Sequence, residues 1–125
     1  MAAMLALDPA AAYRRVDVDA RIEAARGGEL TRICLEEVVT ALGQALLSLE
    51  RKPQLPPREA LARAHGIALW LARSVDPANP LHGALVQFYG GLASLIRRNM
   101  VRAVADEIAQ ARSDFADLLE AARAG

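Results

Sequence analysis

From Leu35 to Ala122, apolar residues return along the chain at intervals that alternate between three and four. That spacing keeps them on one side of an α-helix and marks the seam of near-parallel helix packing. Four such seams are legible. The first is Leu35, Val38, Leu42, Ala45, Leu49, and the second is Leu61, Ala64, Ala68, Leu71, Val75. The third is Leu81, Leu85, Phe88, Leu92, Leu95, and the last is Val101, Val104, Ile108, Ala111, Phe115, Leu118, Ala122. Breaks separate them. Arg26, Gly27 and Gly28 precede the first seam, a proline-rich link at 52–57 follows it, a second link at 76–80 holds Pro77 and Pro80, and a softer break falls near Asn99. Proline lacks the N–H a helix needs and restricts the residue before it, so no helix crosses either link. The pattern predicts helices over roughly 29–51, 57–75, 80–98 and 100–123. Short connections make sequential helices antiparallel. The expected fold is all-α, an antiparallel four-helix bundle over 29–125 with a loose N-terminal arm over 1–28.

In the third helix the period runs through Gly90 and Gly91 without a change of phase. The helix is therefore expected to be continuous, although each interior glycine costs about 1 kcal/mol against alanine. Around the helical wheel, several apolar residues fall off the seams. Val86, Tyr89, Ala93 and Ile96 form a second stripe on the third helix, with Gly90 beside it. On the second helix Trp70 points away from the seam, next to Arg63, Gly66, Arg73 and Ser74, and Gly66 one turn earlier leaves a shallow notch. Leu30, Ile33 and Leu47 lie off the first seam. A tryptophan among arginines beside a small residue is a common binding hot spot. A glycine back lets a partner backbone come close. Apolar Tyr13, Val16, Val18 and Ile22 could let the N-terminal arm cover part of this surface.

Composition agrees with helices. Of 125 residues 54% are hydrophobic, but only 4% are aromatic, and the alanine, leucine, arginine and glutamate that dominate are good helix formers. Fifteen basic residues balance fifteen acidic ones, and the balance argues against nucleic-acid binding, which favours a basic excess on one face. One cysteine, Cys34, excludes a disulfide framework and a cysteine-based zinc site, and fits a reducing cytoplasm. No apolar run is long enough to insert into a membrane.

Catalytic signatures are missing. There is no phosphate loop and no nucleophile–base set in a persuasive context. A di-iron bundle needs inward Glu-x-x-His pairs, and neither His65 nor His82 follows a glutamate by three. Glu36 and Glu37 are adjacent on a helix and point about 100° apart, so they do not converge. The chain is expected to be no enzyme and to need no cofactor or metal. A histidine phosphotransfer domain using His65 is a bundle of similar length, but the lysine and the downstream glycine that follow such a histidine are missing here.

Taken together, three features give the chain a resemblance to the FliS-type flagellar secretion chaperones. Ala12 and Tyr13 with Val18 five residues past the tyrosine resemble that family's opening. The run from Ala64 to Asp76 resembles its second-helix ending, with Ala64, Ile67, Leu71, Val75 and Asp76 where the family favours similar types and Trp70 where it often has a polar residue. Leu81, Leu85, Phe88 and Tyr89 resemble its third-helix pattern. The similarity spans about residues 12 to 123. The family's usual L-Y-D-G run is here Cys34, Leu35, Glu36, Glu37, and Ala84 stands where asparagine is expected.

The resemblance implies a cytoplasmic export chaperone that binds the C-terminal helical segment of flagellin. Such a chaperone prevents premature polymerisation and assists delivery to the flagellar export apparatus, as a monomer or weak homodimer. The expected partner-binding residues are Tyr13, Val18, Ile33, Gly66, Leu69, Trp70, Val86, Tyr89, Gly90, Ala93 and Ile96. The alternative from the residues alone is a homo-oligomeric interaction bundle in which the same surface pairs two copies.

Overall fold

A computed structural model describes residues 28–124. The N-terminal arm, Tyr13 and Val18 included, lies outside the described residues apart from Gly28. Four helices, and no strand among the described residues, make up the fold: α1 (Glu29–Arg51), α2 (Arg58–Arg73), α3 (His82–Val101) and α4 (Ala105–Ala124). Helices α1 and α2, α2 and α3, and α1 and α4 pack along much of their length. The α3 and α4 backbones approach over a much shorter stretch. The arrangement is the expected antiparallel bundle.

The seams of α1 and α2 are buried as the spacing predicts, from Leu35 to Leu49 and from Leu61 to Val75. Alanines at 41, 45, 64, 68, 111, 121 and 122 are also buried, and their small side chains suit close helix approach. In α4 the predicted seam holds from Ile108 to Ala122 but not at its start. Val101 ends α3 and Val104 belongs to the corner before α4, and both are exposed. The chain must reverse within residues 102–104, so neither valine reaches the core.

The third helix departs further from expectation. It is continuous through Gly90 and Gly91. Its inward face, however, is Leu85, Tyr89, Leu92, Ala93, Ile96 and Asn99, while Leu81, Phe88 and Leu95 are only partly buried. The helix is turned by about one position from the predicted seam. The ring of Tyr89 lies nearly parallel to Phe115 of α4, centroids 6.5 Å apart, and Phe88 meets Tyr89 edge-on at 6.1 Å. Aromatic rings thus span the α3–α4 seam where the backbones stand apart.

The links are built from local hydrogen bonds. Between α2 and α3, Asp76 Oδ1 accepts from the Ala78 N–H at 2.9 Å, and Asn79 Oδ1 accepts from the Leu81 N–H at 2.8 Å. These short side chains satisfy turn backbone that lacks a helical partner. At the α3–α4 corner Asn99 is fully buried. Its carbonyl oxygen accepts from the Val104 N–H at 2.6 Å, and its amide donates to the Leu95 carbonyl at 2.9 Å and to Glu107 Oε1 at 3.0 Å. Arg58 at the start of α2 donates through Nε to the Met100 carbonyl at 3.1 Å, satisfying an acceptor in the last turn of α3.

Candidate partner-binding surface

The expected site residues divide by burial. Tyr89 is 5% exposed, Ala93 is 2% and Ile96 is 0%. The stripe read as surplus surface on α3 is therefore core, a correction that follows from the turn of α3 toward Phe115. Val86 is partly buried and packs against the core, while Gly90 is partly buried with open space where a Cβ would stand. Trp70 needs a correction too: its ring does not stand clear of the core but is partly buried and packed against it, as is Leu69. Gly66 is exposed with nothing within 4 Å of a Cβ built there, and Ile33 is 42% exposed.

Of the six large exposed apolar side chains among the described residues, three lie on α1: Leu30, Ile33 and Leu47. Leu30, Ile33, Glu37, Thr40, Gln44 and Leu47 follow one another at intervals of three and four, and all are exposed. Leu30 and Leu47 each show 55% of their surface. This is a second stripe, opposite in role to the buried seam, that runs about 26 Å at 1.5 Å per residue. Glu37 is its only charged member.

Helix α2 borders this stripe. Arg63 Nη1 donates to Gln44 Oε1 at 3.2 Å, which ties the two helices on that side. Trp70 follows Arg63 after nearly two turns, with Gly66 between them, so all three share one side of α2. Ile33 precedes Gln44 by about three turns and shares its side of α1. Ile33, Gly66 and Trp70 are thereby brought to one face, and the α3 members of the expected set are not. Open depressions of about 400 and 440 Å³ mark the Leu55 end of this face, lined by Gln44, Ser48 and Leu55 in common. A third, about 530 Å³, lies across Leu47 toward α4 and includes Gly43 and Arg112.

Leu30, Ile33 and Leu47 are legible in the sequence as off-seam residues, but not as one line. The available signal is the 3–4 spacing that joins Leu30 and Ile33 to Leu47 through three polar positions, Glu37, Thr40 and Gln44. Leu55, 58% exposed in the link after α1, had no periodic signal at all.

The surface carries little that could do covalent chemistry. Cys34 is partly buried on α1; burial, and secondarily the Glu37 carboxylate, pushes its thiol pKa up and disfavours the nucleophilic thiolate. His65 and His82 are partly buried on different helices. Among the described residues no group of three or more His, Cys, Asp or Glu could hold a metal ion, and no helix is long and apolar enough to cross a membrane. No protein-family model, curated protein or solved structure matches the chain.

Proposed function

We propose that the chain is a non-enzymatic binding bundle that seats a helical segment of another polypeptide along the α1–α2 face. The carrying observation is the exposed line of Leu30, Ile33, Gln44 and Leu47 beside partly exposed Trp70 and the open notch at Gly66. An amphipathic helix laid there would cover apolar side chains that the bundle leaves in water, the helix-in-groove mode of recognition. The length of the stripe fits about five helical turns.

The particular reading is a flagellin export chaperone acting in the cytoplasm. It is supported by the family-like order of motifs together with the four-helix architecture. In this role the bundle holds the C-terminal helical segment of flagellin, whose apolar face is otherwise buried only in the filament, and releases it at the export apparatus. A pull-down from the full-length chain tests it. Flagellin should be retained, and flagellin lacking its C-terminal helix should not. Equal retention of both removes the flagellin assignment. Sedimentation of the chain alone tests the broader reading: a tight homodimer that buries Trp70 and ignores added flagellin replaces the chaperone with a self-association bundle.

A further inference from the structure

The Leu55 end of the α1–α2 face differs in charge from the rest of the molecule. Leu47 and Leu55 are more than half exposed there, within depressions whose rims carry Arg51, Lys52 and Arg112. No charged side-chain group of these three makes a hydrogen bond or ion pair with another described residue. Two further arginines line the same end but are engaged, Arg58 with the Met100 carbonyl and Arg63 with Gln44. Only two carboxylates, Glu50 and Glu59, line these depressions. The chain as a whole is neutral, so the basic excess is local. Toward the other end of α1 the arginines are paired: Arg32 meets Glu29 at 3.5 Å and Arg123 meets Glu36 at 2.8 Å.

Helix α4 helps to shape this surface. The guanidinium of Arg112 lies against Gly43 of α1, and a Cβ at position 43 would stand 3.2 Å from Arg112 Nε. The missing side chain leaves room for Arg112 to lie across α1 beside Leu47.

We infer that the Leu47–Leu55 end of this face takes the acidic end of an amphipathic partner helix, with apolar side chains on the leucines and carboxylates on Arg51, Lys52 and Arg112. The inference rests on the helix-binding reading above and adds the partner's charge pattern and its direction along α1. Unpaired cations around an apolar centre complement an acidic amphipathic segment, and such complementarity fixes register and rejects like-charged partners. A lipid surface fits less well. The leucines sit among depressions rather than on a flat plane, and Glu50 and Glu59 would face anionic headgroups.

The test uses the full-length chain and two fluorescent peptides of about 18 residues, the length of the stripe at 1.5 Å per residue. Both carry leucine at positions i, i+3, i+4 and i+7. One has glutamates at one end and the other has lysines there. The acidic peptide should bind about tenfold more tightly at low salt, and the preference should shrink near about 0.5 M salt. The triple variant Arg51→Ala, Lys52→Ala, Arg112→Ala should bind both peptides alike while keeping its helical circular dichroism. Leu47→Ala with Leu55→Ser should weaken both peptides. Equal binding of the two peptides to the unaltered chain overturns the charge inference and leaves helix docking standing. Binding of neither overturns the helix-docking reading itself. Tight binding to vesicles of phosphatidylserine that displaces the acidic peptide overturns the inference in favour of a membrane contact.

Discussion

The side-chain amide of Asn99 donates to Glu107 Oε1 across 3.0 Å, joining the last turn of α3 to the first turn of α4. The same side chain accepts the Val104 N–H, so one buried residue satisfies polar groups on both sides of the corner. Asn99→Ala leaves that N–H without its acceptor and should destabilise the chain by about 1 to 3 kcal/mol in urea melts. Asn99→Asp keeps the acceptor but places a second carboxylate against Glu107. The new carboxyl's folded pKa then rises, so the variant is most stable in acid and loses stability as pH climbs through that value.

Phe115 is fully buried and Tyr89 nearly so, and their rings face each other across the seam where α3 and α4 stand apart. Nothing smaller would fill that gap. Phe115→Ala should cost about 3 to 5 kcal/mol, and Tyr89→Ala a similar amount, by equilibrium denaturation. Because the two share one contact, the double variant should lose less than the sum.

Gly66, Gly90 and Gly91 lie inside helices with open space where a side chain would go. Alanine at each should raise stability by about 1 kcal/mol, measured as a higher thermal midpoint. If Gly66→Ala stabilises the free chain yet weakens partner binding, the notch belongs to the interface and not to the fold.

Cys34 should react slowly with iodoacetamide near pH 8 and rapidly once the chain is unfolded. Burial, then the Glu37 carboxylate, raises its folded pKa above the unfolded one. The thiol therefore contributes stability below the ordinary thiol range, and that contribution is lost as pH rises through the raised value. Cys34→Ala should flatten this alkaline loss in pH-dependent denaturation.

Trp70 is partly buried on the α1–α2 face, so its emission in the free chain should fall between the solvent-exposed and fully buried extremes. Adding a helical partner should shift it to shorter wavelength. Emission that does not move while binding is seen by sedimentation would place the partner elsewhere on the bundle.

The seams of α1, α2 and most of α4 were legible because in each only one line with 3–4 spacing is apolar throughout; the second line on α1 is interrupted by Glu37, Thr40 and Gln44. Helix α3 offers two. Leu81, Leu85, Phe88, Leu92, Leu95 and the line through Leu85, Tyr89, Leu92, Ile96, Asn99 both satisfy the period. Local pattern cannot choose between them; the choice is made by Phe115, a residue far along the chain, and by the Asn99 corner. An asparagine on the inward line also disguised it, since its value lies in hydrogen bonds that periodicity does not read. The same ambiguity misplaced Tyr89, Ala93 and Ile96 in the expected binding set, whereas Ile33 and Gly66, whose helices had one clear inside, were found on the outside.

The contact between Gly43 and Arg112 links two properties that are usually separate. Where a positive charge rests on the outer face of this molecule is governed by a position that carries no side chain. A methyl group at residue 43 would meet Arg112 Nε at 3.2 Å and press the guanidinium aside by a few tenths of an ångström, so even the smallest side chain there touches the charged surface that an incoming chain encounters.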